Sequence, residues 1–150
     1  QGVPMTITLL GGPLPIFKRS IDAYRQSLKM KSYNPSDFPV ATTGFFYAAD
    51  DTKTALRELY PYVDQGMKLA NGTGYHKRLF ANGADMNDVM LVGSPQQIIE
   101  KMIYQYEELG HQRYLAQIDF GGMPFEKVMK NIEIIGTKIL PEVKKYTKGK

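Results

Sequence analysis

The amino-acid sequence predicts an α/β protein built on a parallel sheet, and three observations lead there. Short β-prone runs alternate with segments whose apolar residues recur at helical spacing. Each predicted strand is separated from the next by a helix, which favours parallel pairing through right-handed crossovers. The chain also follows an apolar run twice with Gly-Gly and then opens a helical pattern near a proline. These two stretches are LLGGPLP at Leu9–Pro15 and DFGGMPF at Asp119–Phe125. Strand-to-helix turns of this kind are where α/β proteins place their sites.

The elements follow in chain order. Pro4–Leu10, PMTITLL, is short and β-prone and reads as a buried strand. Phe17, Ile21, Tyr24 and Leu28 then mark one face of a helix. YNPSD at Tyr33–Asp37 is a turn cluster, and Pro39–Ala49 reads as a second strand rich in β-branched and aromatic residues. Asp50 or Asp51 caps the next helix, whose face is Leu56, Leu59, Tyr60, Val63 and Met67. Pro61 is expected to kink that helix or split it. Asn71–Val92 breaks the rhythm with Gly72, Gly74 and Gly83, and is expected to be irregular with one short helix inside.

The strongest helix signals come next. Ser94 is a candidate N-cap, Pro95 suits the first helical position, and Gln97 completes a capping box. Ile98, Ile99, Met102, Ile103, Tyr106 and Leu109 form a wide apolar face, and Gly110 is placed as a left-handed terminator. Tyr114–Phe120 reads as a third strand. A last helix is expected from about Pro124 to Leu140, with Phe125, Val128, Met129, Ile132 and Ile135 on one side and Pro141 stopping it.

Composition limits the function classes. The chain has 150 residues, 43% hydrophobic and 23% charged, the profile of one globular domain with a real core. No window approaches about 18 consecutive apolar residues, and the start, QGVPMTITLL, lacks the basic n-region and long h-region of a signal peptide. The missing initiator Met leads to the expectation of a longer parent chain. The absence of Cys fits a cytoplasmic protein and removes disulfides, Cys-metal sites and thiol catalysis. Lys144, Lys145, Lys148 and Lys150 match the net charge of +4 by themselves, so a frayed basic tail is expected rather than a nucleic-acid surface. His76 and His111, the only histidines, fall far apart, and no metal site is expected.

Three parallel strands with four helices leave two long edges of unpaired backbone groups. The edges are expected to pair with another copy or to belong to a larger sheet or barrel.

The stretch LVGSPQQIIEKMIYQYEELGHQRYLAQIDFGGMPFEKVMKNIEIIGTKILPEV resembles the C-terminal end of the luciferase-like flavin-dependent monooxygenases. That family shows a G-[ST]-P helix, an ELG turn, a barrel strand, a DFGG-like loop and a last helix closing in LP. GVPMTITLLGGPLPIFKRSIDAYRQ is similar to a strand and helix just upstream in the same proteins. The resemblance implies the C-terminal portion of a (β/α)8 barrel, with these residues as its last three strands and their helices. A complete barrel needs about 250 residues. The family's catalysis-linked histidine and most of its flavin phosphate contacts lie in the part that precedes this stretch, so no catalytic residue is assigned. Relatives often carry His in the strand matching Ala41–Ala49, where this chain has Thr42, Thr43, Phe45 and Phe46.

The resemblance further implies an FMN-dependent enzyme that uses reduced flavin and O₂ to oxygenate a small organic substrate, with a partner reductase as one source of the reduced flavin. A cytoplasmic homodimer without nucleic-acid or membrane partners is expected. Two alternatives stay open: a deazaflavin (coenzyme F420) oxidoreductase on the same barrel, and a non-catalytic flavin-binding or assembly module.

Candidate cofactor-binding positions are Gly11, Gly12, Gly121, Gly122 and Tyr47. Gly-Gly at strand ends lets backbone approach a flat ring closely, though it equally serves a tight turn. Neither pair matches G-x-G-x-x-G or a Walker loop. Phe46 and Tyr47 lie where one of them faces a barrel mouth and the other the core. The segment at about 71–93 corresponds to a mobile loop that screens the flavin pocket in the family. Its Tyr75, His76, Lys77 and Arg78 are candidate substrate or lid contacts, or else a solvated cluster. Asp119 is placed to hydrogen-bond a ligand or a neighbouring loop.

Overall fold

A computed structural model of the chain describes residues 2–148, so Lys150 of the expected basic tail lies outside the described residues. The strands are β1 (Met5–Leu9), β2 (Val40–Ala48), β3 (Leu91–Gly93) and β4 (Arg113–Gln117). The helices are α1 (Leu14–Met30), α2 (Thr52–Asn71), α3 (Lys77–Ala81), α4 (Pro95–Leu109), α5 (Phe125–Ile134) and α6 (Leu140–Thr147). A π-helical turn, Ile135–Ile139, joins the last two, and 3₁₀ turns sit at Pro35–Asp37 and Asn82–Ala84.

All named pairings are parallel, and β2 takes part in each. Its first half pairs with β1, Met5 opposite Val40 through Leu9 opposite Gly44. The same half pairs with β4, Ala41 opposite Arg113 through Phe45 opposite Gln117. Its last three residues pair with β3.

Period-2 alternation gives the sheet two unlike faces. Val40, Phe46 and Ala48 of β2 point to one face, where Leu14 and Ile21 of α1, Ile98 and Leu109 of α4, and Ile139 of the π turn bury them. The opposite face carries Thr6 and Thr8 of β1, Ala41, Thr43 and Phe45 of β2, and Arg113, Leu115 and Gln117 of β4. Thr6, Thr8, Arg113 and Leu115 on it are exposed. Only the part near the strand C-termini is covered, where α2 and α3 bring Leu59, Val63 and Phe80 against Phe45 and Tyr47.

Several helix signals act as expected. Ser94 Oγ accepts from Gln97 N at 3.2 Å, and Gly110 closes α4 at φ 57°. Of the two candidate caps, Asp51 serves α2, accepting from Thr54 N at 2.8 Å.

The structure also corrects the sequence reading. The segment expected to be irregular through Val92 ends in strand β3, giving four strands rather than three. β4 stops at Gln117, three residues short of the expected end. Pro61 does not split α2, which runs unbroken for 20 residues. Pro61 and Arg57 are both exposed, so the Arg57 carbonyl that loses its helical donor faces water. Pro141 does not stop the last helix. It sits at the start of α6, after the π turn, where a missing N–H costs little. Lys144 and Lys145 are therefore helical rather than frayed.

Candidate functional site at the strand ends

At the C-terminal ends of β1, β2 and β4, aromatic side chains from several elements meet. Phe45 of β2 packs edge-on against Phe120 at 5.1 Å and Tyr75 at 6.2 Å between ring centroids. Phe80 of α3 meets Tyr75 at 5.7 Å and Tyr60 of α2 at 5.3 Å. Tilted contacts of this kind suit the ring quadrupoles. The wall forms because Gly72 ends α2 in the left-handed conformation and turns the chain back across the strand ends.

The Gly11–Gly12 turn is tied to both arms of the α2–β3 segment. Tyr75 Oη donates to the Leu10 carbonyl at 2.8 Å. The buried Asp88 carboxylate accepts from Gly12 N and from Met90 N, each at 2.9 Å. Val89 N donates to the Gly12 carbonyl, and Leu14 N to that of Asn87, both at 3.0 Å. A Cβ on Gly11 would collide with the Tyr75 hydroxyl, whereas beside Gly12 there is open space to 4 Å.

α4 secures the same segment from below. Lys101 is fully buried, and its ammonium donates to the carbonyls of Gly83 at 2.7 Å and Met90 at 3.0 Å. Burial pushes its pKa down to about 8, against the pull of Asp88 and Asp85. One turn on, Gln105 Nε2 donates to the Val89 carbonyl at 3.0 Å.

Tyr47 is buried, and its hydroxyl donates to Glu58 of α2 at 2.6 Å. Lys127 of α5 donates to the same carboxylate oxygen at 2.9 Å. A cavity of about 280 Å³ opens beside the trio, with Lys130, Glu126 and Thr54 on its walls. Burial, then the bond to Glu58, raises the Tyr47 pKa. The bonds from Tyr47 and Lys127 lower that of Glu58, and Glu58 raises that of Lys127. Each shift favours the form already dominant at neutral pH, so the trio ties β2, α2 and α5 together and is not poised to exchange a proton.

The second Gly-Gly turn differs. Gly121 lies against the Tyr62 backbone carbonyl of α2, and a Cβ there would overlap it. Gly122 faces open space. Asp119 is exposed in the same turn. At the end of β4, Gln117 Oε1 is buried with no hydrogen-bond partner among the described residues. Gln117 lies opposite Phe45 in register and shares the face that β1, β2 and β4 leave largely uncovered.

The structure brings Gly11 and Tyr75 into contact, while Tyr47 joins Glu58 and Lys127 in a separate group. His76 precedes α3, and His76, Lys77 and Arg78 are all exposed; the Lys77 ammonium sits 5.9 Å from the centre of the Tyr60 ring. His111 is buried next to the N-terminal end of β4, where burial lowers its pKa to about 4. Among the described residues, no group of three His, Cys, Asp or Glu side chains is placed to hold a metal ion, and no helix is long and apolar enough to cross a membrane. Sequence reasoning missed Glu58, Asp88, Lys101, Gln117 and Lys127. The only available signal was Lys101, a charge inside the apolar face of a strongly patterned helix.

Residues 1–113 match the family model of the luciferase-like monooxygenases. No curated protein matches the chain. Among solved structures, it is similar to monooxygenase RslO1 from Streptomyces bottropensis, with 18% identity and a TM-score of 0.67 over 91% of this chain and 40% of that one. It is also similar to the oxygenating constituent of 3,6-diketocamphane monooxygenase from Pseudomonas putida, a type II Baeyer–Villiger monooxygenase in complex with FMN. There the identity is 21% and the TM-score 0.59, over 93% of this chain and 42% of that one. For long-chain alkane monooxygenase LadA the identity is 17% and the TM-score 0.58, over 94% and 36%. The chain thus spans about two fifths of the length of these structures, and the likeness shows the fold, a portion of a (β/α)8 barrel.

Proposed function

Because this chain belongs to the luciferase-like monooxygenase family, we propose that it forms the C-terminal wall and lid of an FMN-dependent enzyme that oxygenates a small organic substrate. In this reading the uncovered face of β1, β2 and β4 is barrel interior, completed by further strands. Phe125, Met129 and Ile132 of α5, an exposed apolar stripe at helical spacing, would then pack on the helices of those strands.

The single observation that carries the proposal is the unpartnered Gln117 Oε1 beside the Phe45–Phe120–Tyr75 wall. An orphaned buried acceptor costs free energy unless a ligand satisfies it. The N–H edge of a flavin ring offers the complementary donor, and the aromatic wall a flat apolar neighbour. The open backbone at Gly12 and Gly122 suits close approach of the same ring.

When bound, FMN supplies the redox chemistry with O₂. The protein side chains do the rest. Phe45, Phe80, Phe120 and Tyr75 exclude water from the strand ends. Gln117 orients the ring. The α2–α3 segment closes the mouth, held at its roots by Tyr75, Asp88 and Lys101, with His76, Lys77 and Arg78 on its outer surface.

The test is flavin binding and flavin-dependent O₂ consumption by the full-length protein across organic substrates. Bound FMN, identified by mass after release, together with O₂ consumption is the expected result. An F420-type deazaflavin in its place would overturn the cofactor assignment, and absence of both flavin and turnover would overturn the whole reading. Gln117→Leu is expected to weaken FMN binding about tenfold, the worth of one hydrogen bond.

A further inference from the structure

We propose that a second, accessory site lies on the outer surface of the α2–α3 pair and takes a small organic anion with a flat apolar body. A groove of about 350 Å³ runs there, floored by Leu56, Tyr60, Pro61 and Phe80 and edged by Lys53, Arg57 and Lys77. That volume falls at the low end of small-molecule pockets, too small for a folded partner.

The floor is preorganised. Tyr60 Oη donates to the Tyr75 carbonyl at 3.0 Å, and the Tyr60 ring leans on the buried Phe80 at 5.3 Å. Neither ring needs ordering when a ligand arrives.

The rim carries one sign of charge, for all three charged residues lining the groove are cations. None of them forms a salt bridge among the described residues. Arg57 lies near enough to Asp51 to lower its pKa, but Asp51 is committed first to the Thr54 backbone and hydroxyl. Lys77 already sits over the Tyr60 ring. A flat ligand on Tyr60 would therefore place its carboxylate or sulfonate beside that ammonium, with Lys53 and Arg57 on the facing edge. A neutral ligand would leave the three cations unused, and a cationic one would be repelled.

The groove shares Tyr60 and Phe80 with the aromatic wall but opens on a different side of α2 from the strand ends. Ala55, Leu59 and Val63 of α2 face the sheet core, while Lys53 and Arg57 are exposed on another side of the helix.

The experiment titrates the full chain, saturated with FMN, with 2-naphthoate and its neutral isostere 2-naphthylmethanol, by calorimetry and by amide chemical shifts. Naphthoate is expected to shift resonances of Lys53, Arg57 and Lys77 and to bind at least tenfold more tightly than the alcohol. Arg57→Glu with Lys77→Glu should weaken naphthoate at least tenfold and leave the alcohol unchanged. Ala81→Trp, which fills the groove, should weaken both. Equal affinity for acid and alcohol, shifts confined to the strand ends, or binding only when FMN is left out would each overturn the proposal.

Discussion

Gly11–Gly12 and Gly121–Gly122 follow β1 and β4, and all four residues have positive φ: 140° and 103° in the first pair, 61° and 73° in the second. In sequence they are near twins. The first turn is threaded by hydrogen bonds, through Asp88, Val89 and Asn87, to the segment that returns from α3. The second has, among the described residues, one internal backbone bond, Met123 N to the Phe120 carbonyl at 3.3 Å, and is held by its fit against the α2 backbone at Tyr62. Hence the first turn depends on partners far along the chain. The second depends on the absence of one carbon atom.

Gly121→Ala tests this contrast hardest. The new methyl meets main-chain atoms that cannot rotate away, so a loss on the order of 3 kcal/mol is expected in urea unfolding. A cost below about 1 kcal/mol would show that α2 yields there.

Lys101 holds the Met90 carbonyl, beside the residues that thread the first turn, and its titration should be visible. Its folded pKa of about 8 lies below the ordinary 10.5, so the unfolded chain holds more protons between those values. Stability should therefore rise as pH climbs from about 8 to about 10.5, by up to about 3 kcal/mol. Lys101→Met should lack the rise, and parallel pH profiles for the two proteins would break the link. Asp88→Asn comes next. An amide cannot accept at both ends, so one backbone N–H, of Gly12 or Met90, loses its partner at a cost of about 2 kcal/mol. Amide exchange should quicken at Gly12 and Met90 while Gly121 is unchanged. The smallest effect belongs to Gly122→Ala. With nothing within 4 Å, only the left-handed backbone opposes it, at about 1 kcal/mol.

Local signals made much of the fold legible. Ser94, Gly110 and Asp51 each act through neighbours within four residues, and such chemistry can be read from order alone. Gln97 does not close the expected capping box, because its side chain pairs with Thr52 and the Ala84 carbonyl instead. β3 escaped because three residues are too few for periodicity and its only strand partner among the described residues is the far end of β2. Pro141 misled, and Pro61 does not split its helix, because a proline's effect depends on which carbonyl it orphans and on what takes the place of the lost donor. At the candidate site, the Gly-Gly pairs and Tyr75 were legible as strand-end and loop features. Gln117, Asp88 and the Tyr47–Glu58–Lys127 trio were not. Asp88 reaches Gly12 and Lys127 reaches Glu58 from distant parts of the chain, and Gln117 has no partner among the described residues, so these roles exist only once the sheet has formed.

The position of β2 has a further consequence. Every other strand touches it, and none of the named pairings joins two of the others. A break in the chain between Met30 and Asn34, where α1 gives way to an exposed turn, would leave two pieces that can find each other again along one seam. The same break inside Val40–Ala48 would leave two pieces and divide the one strand that β1, β3 and β4 all pair with. Reassembly of split halves should follow that rule, which makes β2 the hub of the sheet.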